Sequence, residues 1–197
     1  MRVIHIIVLC MVFVPVFGGV GNAVENAGAL EIEADNSLEW DRENKTFMAR
    51  GNAIAKSGSS QVNADLLRAE YHENEKGEIV IETITATGNA TAKHDDDVIS
   101  SKTMVAFMND KNELTRIEAR KSVKIKTPTE TGTSDLALYD FDTEIAVMSG
   151  NVKLMRDANV LMGEKAEFNL KTNVARLFST NDGQSSGRVR GVFYIEE

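Results

Sequence analysis

Few side chains in this sequence of 197 residues could carry out catalysis or bind a metal. His72 and His94 stand at equivalent strand-to-turn positions in different repeats, not at the spacing of metal ligands. No serine or threonine stands with a histidine and a carboxylate in the order of a catalytic triad, and the one cysteine, Cys10, lies in an apolar leader. The sequence therefore predicts neither an enzyme nor a metal site, and it indicates no cofactor.

The acidic run His94-Asp95-Asp96-Asp97 is the one cluster that resembles a cation-binding loop. It lacks the regular spacing of oxygen ligands in a calcium loop, so a solvated turn is the favoured interpretation. The formal net charge of −8 at pH 7 argues against nucleic acid as a partner.

A local excess of positive charge interrupts this acidic chain. Two interpretations stay open: the basic side chains contact lipid phosphates, or they are outward residues that keep strands from aggregating. The residues are Arg116, Arg120, Lys121, Lys124 and Lys126.

Residues 1–23 are predicted to be an export signal. Arg2 precedes an apolar run over residues 3–17, and Gly21-Asn22-Ala23 offers small residues at the positions that a signal peptidase reads. The run contains Pro15 and is shorter than the roughly 20 residues that a membrane span needs. We therefore expect cleavage near Ala23 and a single exported domain over residues 24–197.

A four-fold repeat organises this domain. Its copies begin at Gly51, Gly88, Lys121 and Gly150, and three of them begin with Gly-Asn. Repeats of this length are supersecondary units that bury an apolar face only by stacking on their neighbours. The repeat therefore predicts one continuous stacked structure.

Apolar and polar side chains alternate within each copy. In the second copy the residues that share one face are Ile84, Ala86, Gly88, Ala90 and Ala92, and the residues between them are mostly polar. A period of two indicates long, half-buried strands, and a glycine in mid-run predicts a bulge where a strand turns a corner. We expect an all-β fold of at least ten strands, with a corner that does not strictly require glycine.

A second alternating stretch follows each copy and completes the inward face. Small inward residues leave room either for a ligand or for large side chains from the facing sheet, and both alternatives stay open. The candidates for filling the space are Trp40, Phe47, Tyr71 and Phe107. Alternation predicts these further inward residues: Leu67, Ala69, Tyr71, Ala90, Tyr139, Phe141 and Phe168.

Several short motifs occur in a fixed order after the leader. They are Leu30-Glu31-Ile32-Glu33-Ala34-Asp35, the first Gly-Asn-Ala run, Val62-Asn63-Ala64-Asp65, Ser149-Gly150-Asn151-Val152, Gly163-Glu164-Lys165-Ala166-Glu167-Phe168 and Gly187-Arg188-Val189-Arg190-Gly191-Val192-Phe193. In order and spacing they resemble the LptA/OstA-like periplasmic proteins of lipopolysaccharide transport. The resemblance covers roughly residues 29–193.

This resemblance implies an open, V-shaped and semi-closed β-jelly roll of repeated long antiparallel strands. It implies a periplasmic protein that binds lipopolysaccharide, shelters the lipid A acyl chains in an apolar groove and bridges the inner and outer membranes for outer-membrane assembly. The implied partners are the inner-membrane ABC-transporter complex with its jelly-roll protein LptC, the outer-membrane translocon LptD, and further copies of this chain joined head to tail.

The resemblance also implies positions for the groove and for assembly. Groove-lining residues are expected at Leu30, Ile32, Ala92, Val105 and Phe107, and assembly edges at Leu30, Ile32, Val192 and Phe193. Two other function classes remain as alternatives: a structural or adhesive exported β-repeat protein with a dry core, and a polysaccharide-processing enzyme on a β scaffold. The low aromatic content of 6% disfavours the latter, since sugar clefts use exposed aromatic platforms.

Overall fold

The structure is a computed structural model that describes residues 31–57, 59–172, 174–179 and 187–194. All elements in these ranges are strands, and together they form one antiparallel sheet. The predicted export signal at residues 1–23 and the predicted site residue Leu30 lie outside the described residues. In chain order the strands are β1 (Glu31–Glu33), β2 (Ser37–Asp41), β3 (Thr46–Ser57), β4 (Ser60–Glu73), β5 (Ile79–His94), β6 (Asp97–Met108), β7 (Leu114–Lys126), β8 (Glu130–Asp140), β9 (Ile145–Arg156), β10 (Asn159–Asn169), β11 (Val174–Phe178) and β12 (Arg190–Val192).

Strands β3 to β11 follow one another through the sheet in chain order. Each edge of the sheet consists of two short strands: β1 and β2 both pair with β3, and β11 and β12 both pair with β10. Within the described ranges no pairing joins these two edges. The predicted all-β, open β-jelly-roll architecture is therefore confirmed.

The mid-strand glycines form the bulges that the repeat predicted. The pairing register shifts by one residue around Gly51, Gly88 and Gly150, and each of these glycines has a positive φ of 77–81°. An extra residue on one strand bends the strand and increases its twist. Because the bulges lie side by side on alternate strands, they produce one corner across the sheet.

An acidic side chain from the neighbouring strand covers two of these glycines. Asn89 Nδ2 donates to both carboxylate oxygens of Asp65 at 3.1 and 3.3 Å, and Asn151 Nδ2 donates to Asp135 Oδ2 at 2.9 Å. A Cβ at Gly88 would lie 2.1 Å from Asp65 Oδ2. Glycine is therefore required here by the close approach of a side chain as well as by its backbone angle.

The third corner has no glycine, and the residue that faces it from the preceding strand is not acidic. Lys121 and Ser122 adopt φ angles of 64° and 55°, and the residue that faces this bulge from β6 is Lys102. With a lysine in place of an aspartate at this position of β6, a side chain can occupy the bulge if its backbone strain, about 1–3 kcal/mol for a residue of this kind, is offset elsewhere. The expectation that the corner can form without glycine is confirmed.

Gly88→Ala should lower the free energy of unfolding by about 2–3 kcal/mol, because it combines an unfavourable positive φ with disruption of the Asp65–Asn89 contact. Gly77→Ala is the matched control, since Gly77 has a similar φ of 74° and nothing within 4 Å of its Cβ position. The control should cost about 1 kcal/mol. Urea unfolding measures both, and Asp65→Ala in the Gly88→Ala background should recover part of the loss. Equal losses at the two glycines would contradict a steric role for Asp65.

Three rows of inward side chains cross the described strands, each in hydrogen-bonding register from strand to strand. The first row is Leu38, Ala49, Leu67, Ala86, Met104, Ala119, Ala137, Met148, Ala166 and Leu177. The second is Trp40, Phe47, Ala69, Ile84, Ala106, Ile117, Tyr139, Ala146, Phe168 and Ala175. The third, beyond the corner, is Ile32, Ala55, Val62, Ala92, Ile99, Ile125, Gly132, Leu154, Leu161 and Gly191.

The corner brings the third row against the first. A Cβ at Gly132, in the third row, would lie 3.2 Å from the Cε atom of Met148, in the first row. Residues of all three rows belong to one cluster of buried and partly buried apolar side chains. The sheet therefore folds upon itself at the corner. The parts of the sheet on either side of the corner, its two wings, enclose an apolar interior.

Candidate functional site

An apolar cavity, cavity 1, lies between the wings at the β1 end of the sheet. Its volume is about 430 Å³. Leu38, 61% exposed, and the half-exposed Trp40 stand at its boundary, so the cavity opens to solvent. Its lining is apolar apart from Glu39 and Arg68: Ile32, Leu38, Trp40, Phe47, Met48, Ala49, Ala55, Val62, Leu67, Ala69, Ile81, Ile84, Ala86, Met104, Val105, Ala106, Met108, Leu114 and Ile117.

An aromatic group borders cavity 1 and holds the edge strand β2 in place. The ring of Phe47 lies 5.3 Å from that of Trp40 and 4.9 Å from that of Tyr71, and Trp40 Nε1 donates to Tyr71 Oη at 2.7 Å. The guanidinium of Arg42 sits 4.2 Å above the Trp40 ring. These contacts occupy one side of the interior, yet they leave the cavity unfilled.

A smaller cavity of about 240 Å³, cavity 2, lies at the β12 end of the sheet. Phe193 is 66% exposed at its boundary, so this cavity also opens to solvent. Its lining residues are Ile125, Glu130, Thr131, Gly132, Met148, Leu154, Met155, Arg156, Asn159, Leu161, Phe168, Ala175, Leu177 and Phe193.

The polar groups of cavity 2 include an ion pair. Arg156 Nη1 lies 3.5 Å from Glu130 Oε1, whose side chain is largely buried. Burial raises the pKa of the Glu130 carboxyl above its ordinary value, and the charge of Arg156 opposes this shift. Cavity 2 therefore combines an apolar interior with a cation and a carboxyl of reduced acidity.

The structure places five of the predicted groove residues on the cavities. Cavity 1 is bordered by Ile32, Leu67, Ala69 and Val105, and cavity 2 by Phe168. Tyr71 joins the aromatic group beside cavity 1. Whether these residues contact a lipid stays a prediction.

Four other predicted residues are inward but border neither cavity. Ala90, Ala92 and Tyr139 are buried, and Phe141 packs edge-on against Tyr139 with ring centroids 4.5 Å apart. Burial raises the pKa of the Tyr139 hydroxyl. These side chains pack in the interior without lining either cavity.

The predicted inward orientation of Phe107 is wrong. Phe107 pairs with Thr83 and Arg116 on the outer face, and the Arg116 guanidinium covers its ring at 4.1 Å. Val105 borders cavity 1, but its register aligns its side chain with outward Thr85 and Glu118. Phe107 therefore does not help to fill the interior.

The inward side chains of β6 are the alternate set, which the sequence analysis did not name. Met104, Ala106 and Met108 line cavity 1. In this strand both alternating sets are apolar, so alternation alone could not distinguish them. The pairing of Met104 with Ala86 on β5 and with Ala119 on β7 decides which set is inward, and this pairing cannot be read from the sequence of β6 alone.

Part of the basic run is paired on the outer face. Arg116 Nη2 lies 3.2 Å from Glu118 Oε1, and Arg120 Nε donates to Glu118 Oε2 at 3.0 Å. Glu118 is only 6% exposed although it points outward, because the two arginines and the flanking Val105 and Leu138 cover it. These two arginines therefore already have a carboxylate partner within their own strand.

The described residues contain no group of three or more His, Cys, Asp or Glu side chains that could hold a metal. A helix long and apolar enough to cross a membrane is likewise not found in the described part of the chain. The chemistry that the interior offers is thus apolar contact, with the Glu130–Arg156 pair at one mouth.

Comparison with models of known protein families gives a match. A model described as "LptA/(LptD N-terminal domain) LPS transport protein" matches residues 78–174, a segment that begins just before β5 and ends at the start of β11. The family is thus described as one of transport proteins rather than enzymes. No curated protein matches this chain.

Solved structures also match, 22 chains in all. One is the crystal structure of LptH, the LptA-homologous periplasmic component of the conserved lipopolysaccharide transport device from Pseudomonas aeruginosa. It is 13% identical, with a TM-score of 0.36, and the match covers 85% of this chain and 96% of that chain. At this identity and TM-score the likeness establishes neither a function nor a site. The family match is what confirms the predicted resemblance: residues 78–174 of this chain match the model of the LptA/(LptD N-terminal domain) family of LPS transport proteins.

Proposed function

We propose that this chain is a periplasmic lipopolysaccharide-binding transport protein whose interior shelters lipid A acyl chains. Cavity 1 is the observation that carries the proposal, because it is an apolar space of about 430 Å³ that opens to solvent in a chain that matches the model of a transport family. The proposal includes export by cleavage near Ala23 and a single domain over residues 24–197.

The energetics of an acyl chain favour such a site. Burying one methylene is worth about 0.8 kcal/mol, so about ten methylenes contribute some 8 kcal/mol before the cost of association is subtracted. A lipid with several chains would lose this contribution on entering water. A protein with a preformed apolar interior can therefore carry the lipid across an aqueous compartment.

A dry-core structural protein is the competing function. Natural cores pack densely and leave few voids larger than a water molecule. The volume of cavity 1 instead falls within the range of about 300–1,000 Å³ that is typical of ligand pockets. The cavity therefore favours carriage over a purely structural role.

Bridging between membranes would use the two free edges of the sheet. At one edge Ile32 and Leu38 are exposed, and at the other Phe193 and Tyr194 are exposed. An unpaired strand edge can add a strand from another chain, and pairing between unlike edges extends without closing into a ring. We infer head-to-tail contacts with further copies, and equivalent contacts with inner-membrane (LptC) and outer-membrane (LptD) jelly-roll partners.

Site-specific photo-crosslinking tests the groove. p-Benzoylphenylalanine at the position of Ala69, inside cavity 1, should capture lipopolysaccharide added to the purified chain, and unlabelled lipopolysaccharide should compete. The same probe at outward Thr85 is the matched control, because both residues lie in neighbouring strands one register row apart. A third probe at Phe107 should behave like Thr85, although the resemblance implied that it would behave like Ala69.

The outcomes separate the two functions. Capture at Ala69 alone supports lipid carriage. No capture at any position, or equal capture inside and outside, would leave the dry-core structural protein as the better interpretation.

A further inference from the structure

The three inward rows run without a break across the sheet, yet the cavities do not. Cavity 1 is lined by the early part of each row and cavity 2 by the late part. The middle of each row borders neither cavity: Ala119 and Ala137 in the first, Tyr139 and Ala146 in the second, and Ala92 and Ile99 in the third. The interior is therefore divided between its two ends.

The dividing region is tightly packed. None of these six residues is more than 9% exposed. Their neighbours Val123 and Met148 are among the largest fully buried side chains in the described residues. An acyl chain could pass from one cavity to the other only by separating these side chains.

Met148 forms the wall of this region that faces cavity 2. Its Cε atom crosses from the first row to Gly132 in the third, where a Cβ would lie 3.2 Å away, and both residues line cavity 2. A methionine side chain is unbranched and flexible, so it can move with less strain than a branched residue. Met148 is thus the side chain of the dividing region that can most easily move aside.

We propose that the interior holds acyl chains in two separate compartments, cavity 1 and cavity 2, divided by a partition to which Ile99 and Met148 contribute. This inference rests on the proposed function and adds to it the number and independence of the acyl sites. Cavity 2 takes a single acyl chain, with Arg156 at its lining, and cavity 1 takes the greater apolar volume.

Native mass spectrometry with dodecanoate tests the independence of the compartments. The wild-type chain should bind two dodecanoate molecules. Ala69→Trp, which fills cavity 1, and Ala175→Trp, which fills cavity 2, should each leave one, and the double variant should bind none. Both positions are less than fully buried, and a phenylalanine in place of the tryptophan serves where a variant unfolds.

Each outcome bears on a different claim. If either single variant abolishes all binding, or the wild type binds only one molecule, the interior is a single site and the partition is wrong. If dodecanoate does not bind at all, the two-compartment proposal fails, and the crosslinking of lipopolysaccharide at Ala69 shows separately whether the proposed function fails with it.

Chain length tests the partition itself. In the wild type, eicosanoate should bind no more than about twofold more tightly than dodecanoate, because the partition leaves the extra methylenes in water. Met148→Ala should open a path, so that eicosanoate gains at least tenfold over dodecanoate, since added methylenes become buried. A large gain with chain length already in the wild type would overturn the partition. Met104→Ala, which enlarges cavity 1 without touching the partition wall of cavity 2, is the control.

Discussion

Replacing both Arg116 and Arg120 by alanine should lower the free energy of unfolding by about 2–3 kcal/mol, because it leaves the carboxylate of Glu118 in a mostly buried position without its charged donors. The loss includes the contact between the Arg116 guanidinium and the Phe107 ring. Both arginines are themselves partly exposed, so some water would reach Glu118 in the variant. Urea unfolding at neutral pH measures the change.

Arg68→Ala is the matched control for this effect. Arg68 Nη2 lies 3.0 Å from Glu70 Oε1 on the same outer face and at the same spacing along a strand, but both side chains are 46% exposed. An exposed pair of this kind is worth about 0.5 kcal/mol. If the double variant loses no more than this control, burial of Glu118 does not contribute to stability.

Phe193→Pro should weaken self-association at least tenfold. Tyr194 N donates to Asn159 Oδ1 at 3.0 Å, so its N–H points toward β10. Because N–H groups alternate in direction along an extended chain, the N–H of Phe193 points to the free edge. Proline there removes a donor that an added strand would use, while the pairs from Arg190 to Val192 with β10 remain. Sedimentation velocity over a concentration series measures the association.

Phe193→Ala separates backbone pairing from the side chain. It removes the same exposed ring from the edge and from cavity 2, but it keeps the N–H. We expect a weaker effect from alanine than from proline. Equal effects would show that the ring, not the strand edge, makes the contact. A wild-type chain that stays monomeric at all concentrations would remove the bridge from the proposal and leave lipid carriage as a free shuttle.

Alternation along the chain was sufficient to predict the strands and most of their inward faces. In β5 the inward Ala86, Ala90 and Ala92 are separated by polar residues, so only one orientation buries apolar surface. The bulges were predictable too, since Gly51, Gly88 and Gly150 recur at the same point of three of the four repeats. These features depend on residues close together in sequence.

The same reasoning was wrong in β6 because that strand is apolar on both sides. Met104 and Val105 differ by one position, and a shift of one residue exchanges the faces. Ala86 and Ala119, each more than ten residues away, decide the orientation through the register of β5 and β7. The burial of Glu118 arises in the same way, from outward neighbours on β6 and β8.

The amino-acid sequence by itself determined the all-β fold and the repeated corner, because each is a local pattern of period two or of recurring turn chemistry. Only the tertiary structure decided that the predicted apolar strip contains two cavities and not one. That division depends on side chains that meet across the corner, such as Met148 and Gly132. The volume of a cavity depends on side chains that are distant in the sequence, and it leaves no periodic signal along the chain. The shape of the interior could therefore be known only from the folded sheet.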